Sequence, residues 1–288
     1  MSRKTFWLIL AGLLLAGCFV VVVIAPTGVS ESSTPPAGIE ALRLVGYDGA
    51  GSVVWTLFAQ SGQLMQATQT GSFSRAVLEF FERDKATLSL VAGQVVLTSR
   101  RGFLTQSPSL RALGDDKQAD KYRLSAQEMI WWREEETLSG SDASLDFSSG
   151  MSRLTAPLME LDLSNEHLRF HGGILMRVDI EEDRTAEVSA ETASIVDNEI
   201  VIERSVVVDI GSDTYHCERM TLEVPEDGTS ASSIYLEGNV SASFPQGEIT
   251  ADTLRVTSTG WEAGGSVHVE FDVDLDETLS IQEQENDA

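Results

Sequence analysis

His167 and His171 stand four residues apart, the spacing at which two imidazoles on one helical turn can hold a divalent metal. The residues around them alternate apolar and polar, which places them on a strand instead. A rise of ~3.3 Å per residue then separates the two rings by about 13 Å, too far for one ion. Glu160 and Asp162 could serve as the paired carboxylates of a hydrolase. They alternate with Met159, Leu161 and Leu163, however, and so mark the solvent face of a half-buried strand. Trp131-Trp132 could stack on a sugar, but neighbours on a strand point to opposite faces, so one ring must go to the core. The chain has no Gly-x-Ser-x-Gly elbow and no glycine-rich phosphate loop between a strand and a helix. No catalytic residue, metal or cofactor is expected.

Cys18 poses a different question. Leu15-Ala16-Gly17-Cys18 reads as a lipobox, the cleavage and acylation site of a lipoprotein, yet residues 6–25 form an uninterrupted apolar run of 20 residues. At 1.5 Å per residue that run spans a ~30 Å hydrocarbon core. Arg3 and Lys4 precede it and hold the N-terminus in the cytoplasm, so the rest of the chain is exported. Pro26 follows the small-residue end of the run and blocks cleavage there. The expectation is an uncleaved single-pass inner-membrane protein whose bulk is periplasmic; the alternative is lipidation at Cys18. Residues 1–25 are then a cytoplasmic stub and anchor, and 26–38 a Ser/Thr/Pro/Gly linker. Residues 39–276 make the folded region, and 277–288 an acidic tail. Cys217 is alone in the exported part, so no disulfide staples it.

The chain carries 45 acidic against 20 basic side chains, and all the acids lie beyond the apolar run. They are spread along the sequence, apart from Glu134-Glu135-Glu136, which suits a hairpin turn, and the C-terminal tail. Such a surface repels nucleic acid and anionic head groups.

An internal repeat organises the folded region. A small residue, two variable positions, an apolar residue, one variable position and another apolar residue recur five times. The copies begin at Ala126, Ala156, Ala190, Cys217 and Ala251, at spacings of 30, 34, 27 and 34. After each comes an apolar residue, usually with a glycine two positions on: Leu138/Gly140, Phe170/Gly172, Ile202/Arg204, Leu236/Gly238 and Ala263/Gly265. Alternation on both sides makes each unit two strands with one buried face. The odd step after the small residue flips the parity, which calls for a bulge or sharp bend there. Cys217 takes the alanine position and is a buried small residue rather than a reactive thiol. Repeat position places Met129, Trp131, Met159, Leu161, Phe170, Ile195, Met220, Leu222, Val240, Leu254 and Val256 on the inward face. Upstream, 53–59, 75–81 and 87–98 show the same rhythm with degenerate spacing, and 117–121 is a loop. The fold class is all-β.

One transmembrane helix, a Gly51-x-x-x-Trp55-x-Leu57-x-Ala59 opening and the serial rungs, such as Ala251-Asp252-Thr253-Leu254 and Leu236-Glu237-Gly238-Asn239-Val240, resemble a known family. This is the LptC/LptA (OstA-like) family of lipopolysaccharide-export periplasmic proteins. The opening and middle are LptC-like, and the rungs from Ala190 on are LptA-like. The resemblance implies a twisted open antiparallel β-jellyroll whose apolar groove, lined by the eleven inward residues, shelters lipid acyl chains. It implies as partners lipopolysaccharide or a similar glycolipid, an inner-membrane ABC transporter complex and an LptA-like periplasmic protein. The last strong strand, with Val267, Val269 and Phe271 inward, would be the edge on which that relative docks. Two other readings stay open: a passive periplasmic β-repeat scaffold and a polysaccharide-acting β-helix enzyme, the latter needing clustered carboxylates that this chain scatters.

Overall fold

The computed structural model describes residues 39–65, 70–82, 85–112, 122–147, 152–181, 184–196, 199–223, 233–257 and 260–271. The apolar run, the linker, Cys18, residues 117–121 and the chain after Phe271 lie outside them. The described residues contain 18 strands and no helix. In chain order they are β1 Ile39–Tyr47, β2 Val53–Met65, β3 Thr70–Glu82, β4 Lys85–Leu97, β5 Arg101–Thr105 and β6 Ser109–Ala112. Then come β7 Tyr122–Ser125, β8 Glu128–Trp132, β9 Thr137–Phe147, β10 Ser152–Asp162, β11 His167–Glu181 and β12 Arg184–Val196. The last six are β13 Glu199–Ile210, β14 Asp213–Glu223, β15 Ser233–Phe244, β16 Gly247–Thr257, β17 Gly260–Gly264 and β18 His268–Phe271.

Every pairing is antiparallel and joins neighbours in a meander. β5 and β6 are two pieces of one row, since both pair with β4, and β8 and β7 follow them in the same way. β17 and β18 are likewise two pieces paired with β16. With those three unions the 18 strands form 15 rows, from β1 at one end to β17/β18 at the other.

Each row is bent near its middle, and the bend explains the sequence repeat. Buried residues alternate on both sides of it, but the phase slips: 154 and 156 against 159 and 161 in β10, 215 and 217 against 220 and 222 in β14. A flat strand buries one parity throughout. Here the chain turns a corner, so that each row has two limbs whose inner faces look at one another. In the odd rows the corner carries left-handed residues: Gln106 and Ser107 (φ 62° and 61°), Gly172 and Gly173 (91° and 95°), Arg204 and Ser205 (71° and 54°), Gly238 and Asn239 (79° and 48°). The even rows have Ala or Cys there and no positive φ. This is a β-bulge repeated row after row: Gly238 and Asn239 lie between Glu237 and Val240, opposite the single residue Asp252 between Thr253 and Ala251. The facing small side chain leaves room for the extra residue.

Two details differ from the sequence expectation. The repeat has seven copies, because Ala59 and Ala92 occupy the corners of β2 and β4, so the upstream spacing is regular, at 33 and then 34 residues to Ala126. Gly140 is not a left-handed corner; Asp142 takes that conformation (φ 48°) in β9. Gly140 is needed for close approach instead, since a Cβ there would stand 2.7 Å from the Met159 methyl carbon.

The limbs meet at their free ends through aromatic side chains. Trp131, at the end of one limb of its row, packs edge-to-face on Trp55 and Phe80 of the opposite limb, with ring centroids 5.4 and 5.2 Å away. Phe244 stacks on Trp261 across the same boundary at 6.3 Å. The partners are two to four rows apart, so the strands cross the roll obliquely, as twisted sheets do. The apolar interior is one continuous cluster from Leu42 to Val256.

Corner chemistry predicts opposite effects at two left-handed corner positions. Arg204→Gly relieves a left-handed non-glycine residue and is expected to raise stability by up to about 1 kcal/mol, whereas Gly173→Val should lower it by a similar amount or more. Thermal unfolding of the two variants checks the sign.

Candidate functional site

All eleven residues assigned inward by repeat position lie in the interior. Leu161, Phe170, Met220 and Leu254 are fully buried, and the most accessible of the set, Ile195, is 6% exposed. They bring together the inner faces of both limbs along most of the roll, and of the eleven Val256 also borders an opening at the limb ends. The interior is filled by their own side chains. One cavity, of about 640 Å³, lies at the corners of the first three rows among Glu40, Gln60, Ser61 and Arg75, and is polar. Another, about 210 Å³, opens where the limb ends meet, between Tyr215, Phe244, Val256 and Trp261, with Arg184 and Asp213 at its rim.

That boundary, the seam of the roll, is a structural feature the sequence did not reveal. Among the described residues no strand of one limb hydrogen-bonds to the other across it; all pairings run row to row. Side-chain contact alone closes it. Trp131 is the buried member of Trp131-Trp132, and the Arg133 guanidinium lies over both Trp131 and Trp55, 5.7 and 5.3 Å from their rings. Trp132 faces outward under Arg101, 4.7 Å from its ring, and its Nε1 donates to Ser139 Oγ at 3.3 Å. Tyr215 packs edge-to-face on Phe244 at 5.8 Å, and burial, then the nearby Asp213 carboxylate, push its phenol up to about 12.

The last row differs from the rest. Val269 pairs with the buried Ile249 and Phe271 with Gly247, so these side chains point to the interior side of the sheet, in phase with Val267. They are nevertheless exposed, Val267 at 46%, Val269 at 38% and Phe271 at 64%. Among the described residues no strand lies opposite this end of the oblique roll to cover them.

The other candidates are placed plainly. His167 and His171 lie on β11, opposite Asp162 and Leu158 of β10. Asp162 caps the β10–β11 turn, accepting from the Ser164 hydroxyl and backbone N–H and from Asn165 Nδ2, and these bonds, the Ser164 hydroxyl first, lower its pKa. No group of three His, Cys, Asp or Glu among the described residues could hold a metal. Cys217 is buried at its corner, and burial pushes the thiol up to about 11.

No protein-family model matches the chain, and the search of curated proteins finds no match. Among solved structures, LptH from Pseudomonas aeruginosa, the LptA homologous periplasmic component of its lipopolysaccharide transport device, is similar at 9% identity and a TM-score of 0.34. The likeness covers 41% of this chain and 81% of that one.

Two outcomes follow. Trp131→Ala removes the ring that joins Trp55 and Phe80 and should cost about 3–5 kcal/mol, measured by denaturant unfolding. Cys217 and Tyr215 hold their protons more tightly folded than unfolded. Their contribution is therefore intact below pH 9 and falls as pH climbs from 9, where the unfolded thiol ionises, toward 11 to 12. Stability followed from pH 8 to 12 should decline across that window, and native Cys217 should resist thiol reagents at pH 8.

Proposed function

We propose that this chain is a membrane-anchored periplasmic component of lipopolysaccharide transport, sheltering acyl chains between its two limbs and handing them to a relative at its C-terminal end. One observation carries the reading: a continuous apolar interior runs the length of the roll and is closed along one side by side chains only. A sheet folded in this way can part at the seam without breaking a ladder. An acyl chain entering between the limbs exchanges water for apolar contact, worth about 0.8 kcal/mol for each CH₂ buried. Neither step needs covalent chemistry. The serial rungs and the apolar run at 6–25 support the family reading, with an inner-membrane ABC transporter complex as the source of lipid and energy.

The exposed inner face at Val267, Val269 and Phe271 supports docking of an LptA-like protein, by addition of a strand that continues the interior. A filled interior favours a second reading, the passive β-repeat scaffold.

Seam crosslinking separates the two. A photo-crosslinker at Met159 in the full chain should capture lipopolysaccharide, and a short bismaleimide bridge between Phe244→Cys and Trp261→Cys should abolish the capture. An interior that captures no lipid with the seam free rejects transport and leaves the scaffold. Val269→Asp with Phe271→Asp should leave thermal stability nearly unchanged, because both side chains are already exposed, yet should end co-purification with the periplasmic partner.

A further inference from the structure

The acidic surplus is not spread along the roll. Residues 39–133 carry 11 basic and 9 acidic side chains, and residues 134–288 carry 7 and 35. The expectation of an evenly acidic surface is thus corrected, and the fold concentrates the basic side chains further. On the outer face of the limb that contains β6 and β7, Arg111 pairs with Arg123, Arg123 with Asp146, Asp146 with Arg153, and Arg153 with Arg177. Residues opposite one another in an antiparallel ladder share a face, so four guanidiniums line five consecutive rows, spanning about 19 Å at ~4.8 Å per row.

The neighbouring line of the same outer face, nearer the corners, carries no carboxylate. It begins with Arg43 over the Phe58 ring at 5.1 Å and passes through exposed Phe58, Val91 and Leu175, with Ser and Thr between them. Among the described residues, three carboxylates on this part of the face are engaged. Glu79 accepts from Thr56 Oγ1 at 3.2 Å, Asp146 sits 3.4 Å from Arg153 Nε, and Asp179 accepts from Thr185 Oγ1 at 2.9 Å. Past Arg177 the ladder turns acidic, running Glu187, Asp209, then Glu248 and Glu270 with no further Arg or Lys.

We infer that this outer face of the first nine rows is a docking surface for an anionic phospholipid bilayer. Arginines spaced along the outer face meet lipid phosphates, and Phe58, Val91 and Leu175 enter the interfacial layer between them. The acidic rows beyond are repelled, which tilts the C-terminal end of the roll away from the membrane. The inference rests on the anchored reading above in one respect: the linker at 26–38 reaches at most about 45 Å, keeping the first row close to the bilayer in which residues 6–25 would sit. Charge complementarity selects lipid over the chain's own acidic segment 272–288, whose path to Arg177 would cross the acidic rows.

The test uses the full chain with Cys18→Ser and Cys217→Ala, reconstituted in phosphatidylcholine vesicles with or without phosphatidylglycerol. An environment-sensitive fluorophore is placed at Val91→Cys or, as a control on the opposite limb, at Tyr235→Cys, and the lipid carries a headgroup nitroxide quencher. Quenching at position 91 should appear only with phosphatidylglycerol and be absent at 235. Arg111→Gln, Arg123→Gln and Arg177→Gln together should weaken that association about a hundredfold. Equal quenching with and without phosphatidylglycerol, or none at position 91, overturns the inference. So does quenching at 91 that appears with phosphatidylglycerol only after residues 272–288 are removed, which assigns the face to that segment. Flotation after a high-salt wash reports the anchor separately. A chain that floats without quenching at 91 loses the docking surface alone. A chain that fails to float loses the anchor, and added phosphatidylglycerol vesicles must still quench at 91 for the docking surface to stand.

Discussion

The structure depends on one constraint: a strand that must bury the same kind of face twice while turning a corner. A strand of 11 to 15 residues, such as β10 or β11, is too long to cover with one opposing layer of its own small domain. Bending each row lets its second limb cover the limbs of its neighbours. The cost is a phase slip at the corner, because side chains that continued in strict alternation would carry the apolar set out to solvent after the turn. The left-handed residues of the odd rows and the Ala or Cys of the even rows are the two halves of the local solution. They recur because each row must turn at the same place for the sheet to stay paired.

Row-to-row pairing satisfies the backbone within each limb, which leaves no hydrogen bonds for the seam. Stability along the rows and stability across the seam are therefore of different kinds. The ladders are directional and cooperative along the roll, while the seam is closed by apolar area and ring contacts such as Trp131 with Trp55 and Phe80. Parting the limbs exposes apolar surface but orphans no N–H or C=O, so it is the softest large motion this architecture has. A roll built to carry an apolar cargo and a roll built as a strut would differ in how tightly those rings close the seam.

How much of this was readable from sequence follows from what is local. Alternation and the corner signature are local, and Ala126, Ala156, Ala190, Cys217 and Ala251 showed them with clear spacing. Ala59 escaped because Gly62 stands where the other copies have an apolar side chain, and Ala92 because valines on both sides blur the alternation. The inward residues were readable as inward for the same reason, but not whether they enclose space. That depends on limbs that approach only in three dimensions, as does the seam, whose rings come from rows two to four apart. The exposure of Val267, Val269 and Phe271 was hidden for the converse reason. Their alternation is that of a buried strand, and among the described residues no limb stands opposite to cover them.

The outer faces obey a looser rule, and function has more room there. Inward positions are held to Leu, Ile, Val, Met and Ala by burial, so their variation reports packing. An outward position need only be compatible with water, and a run of rows that places Arg111, Arg123, Arg153 and Arg177 in one ladder is not required by the fold. Set side by side in one ladder, these guanidiniums repel one another, which is unfavourable in a chain whose later rows carry acidic side chains, Glu187 and Asp209, at the same ladder position. Asp146 is the single interleaved acid, and it engages Arg153. The ladder thus keeps a positive field on one face of a strongly negative molecule, at some expense in self-repulsion, and such a field acts only on something anionic outside it.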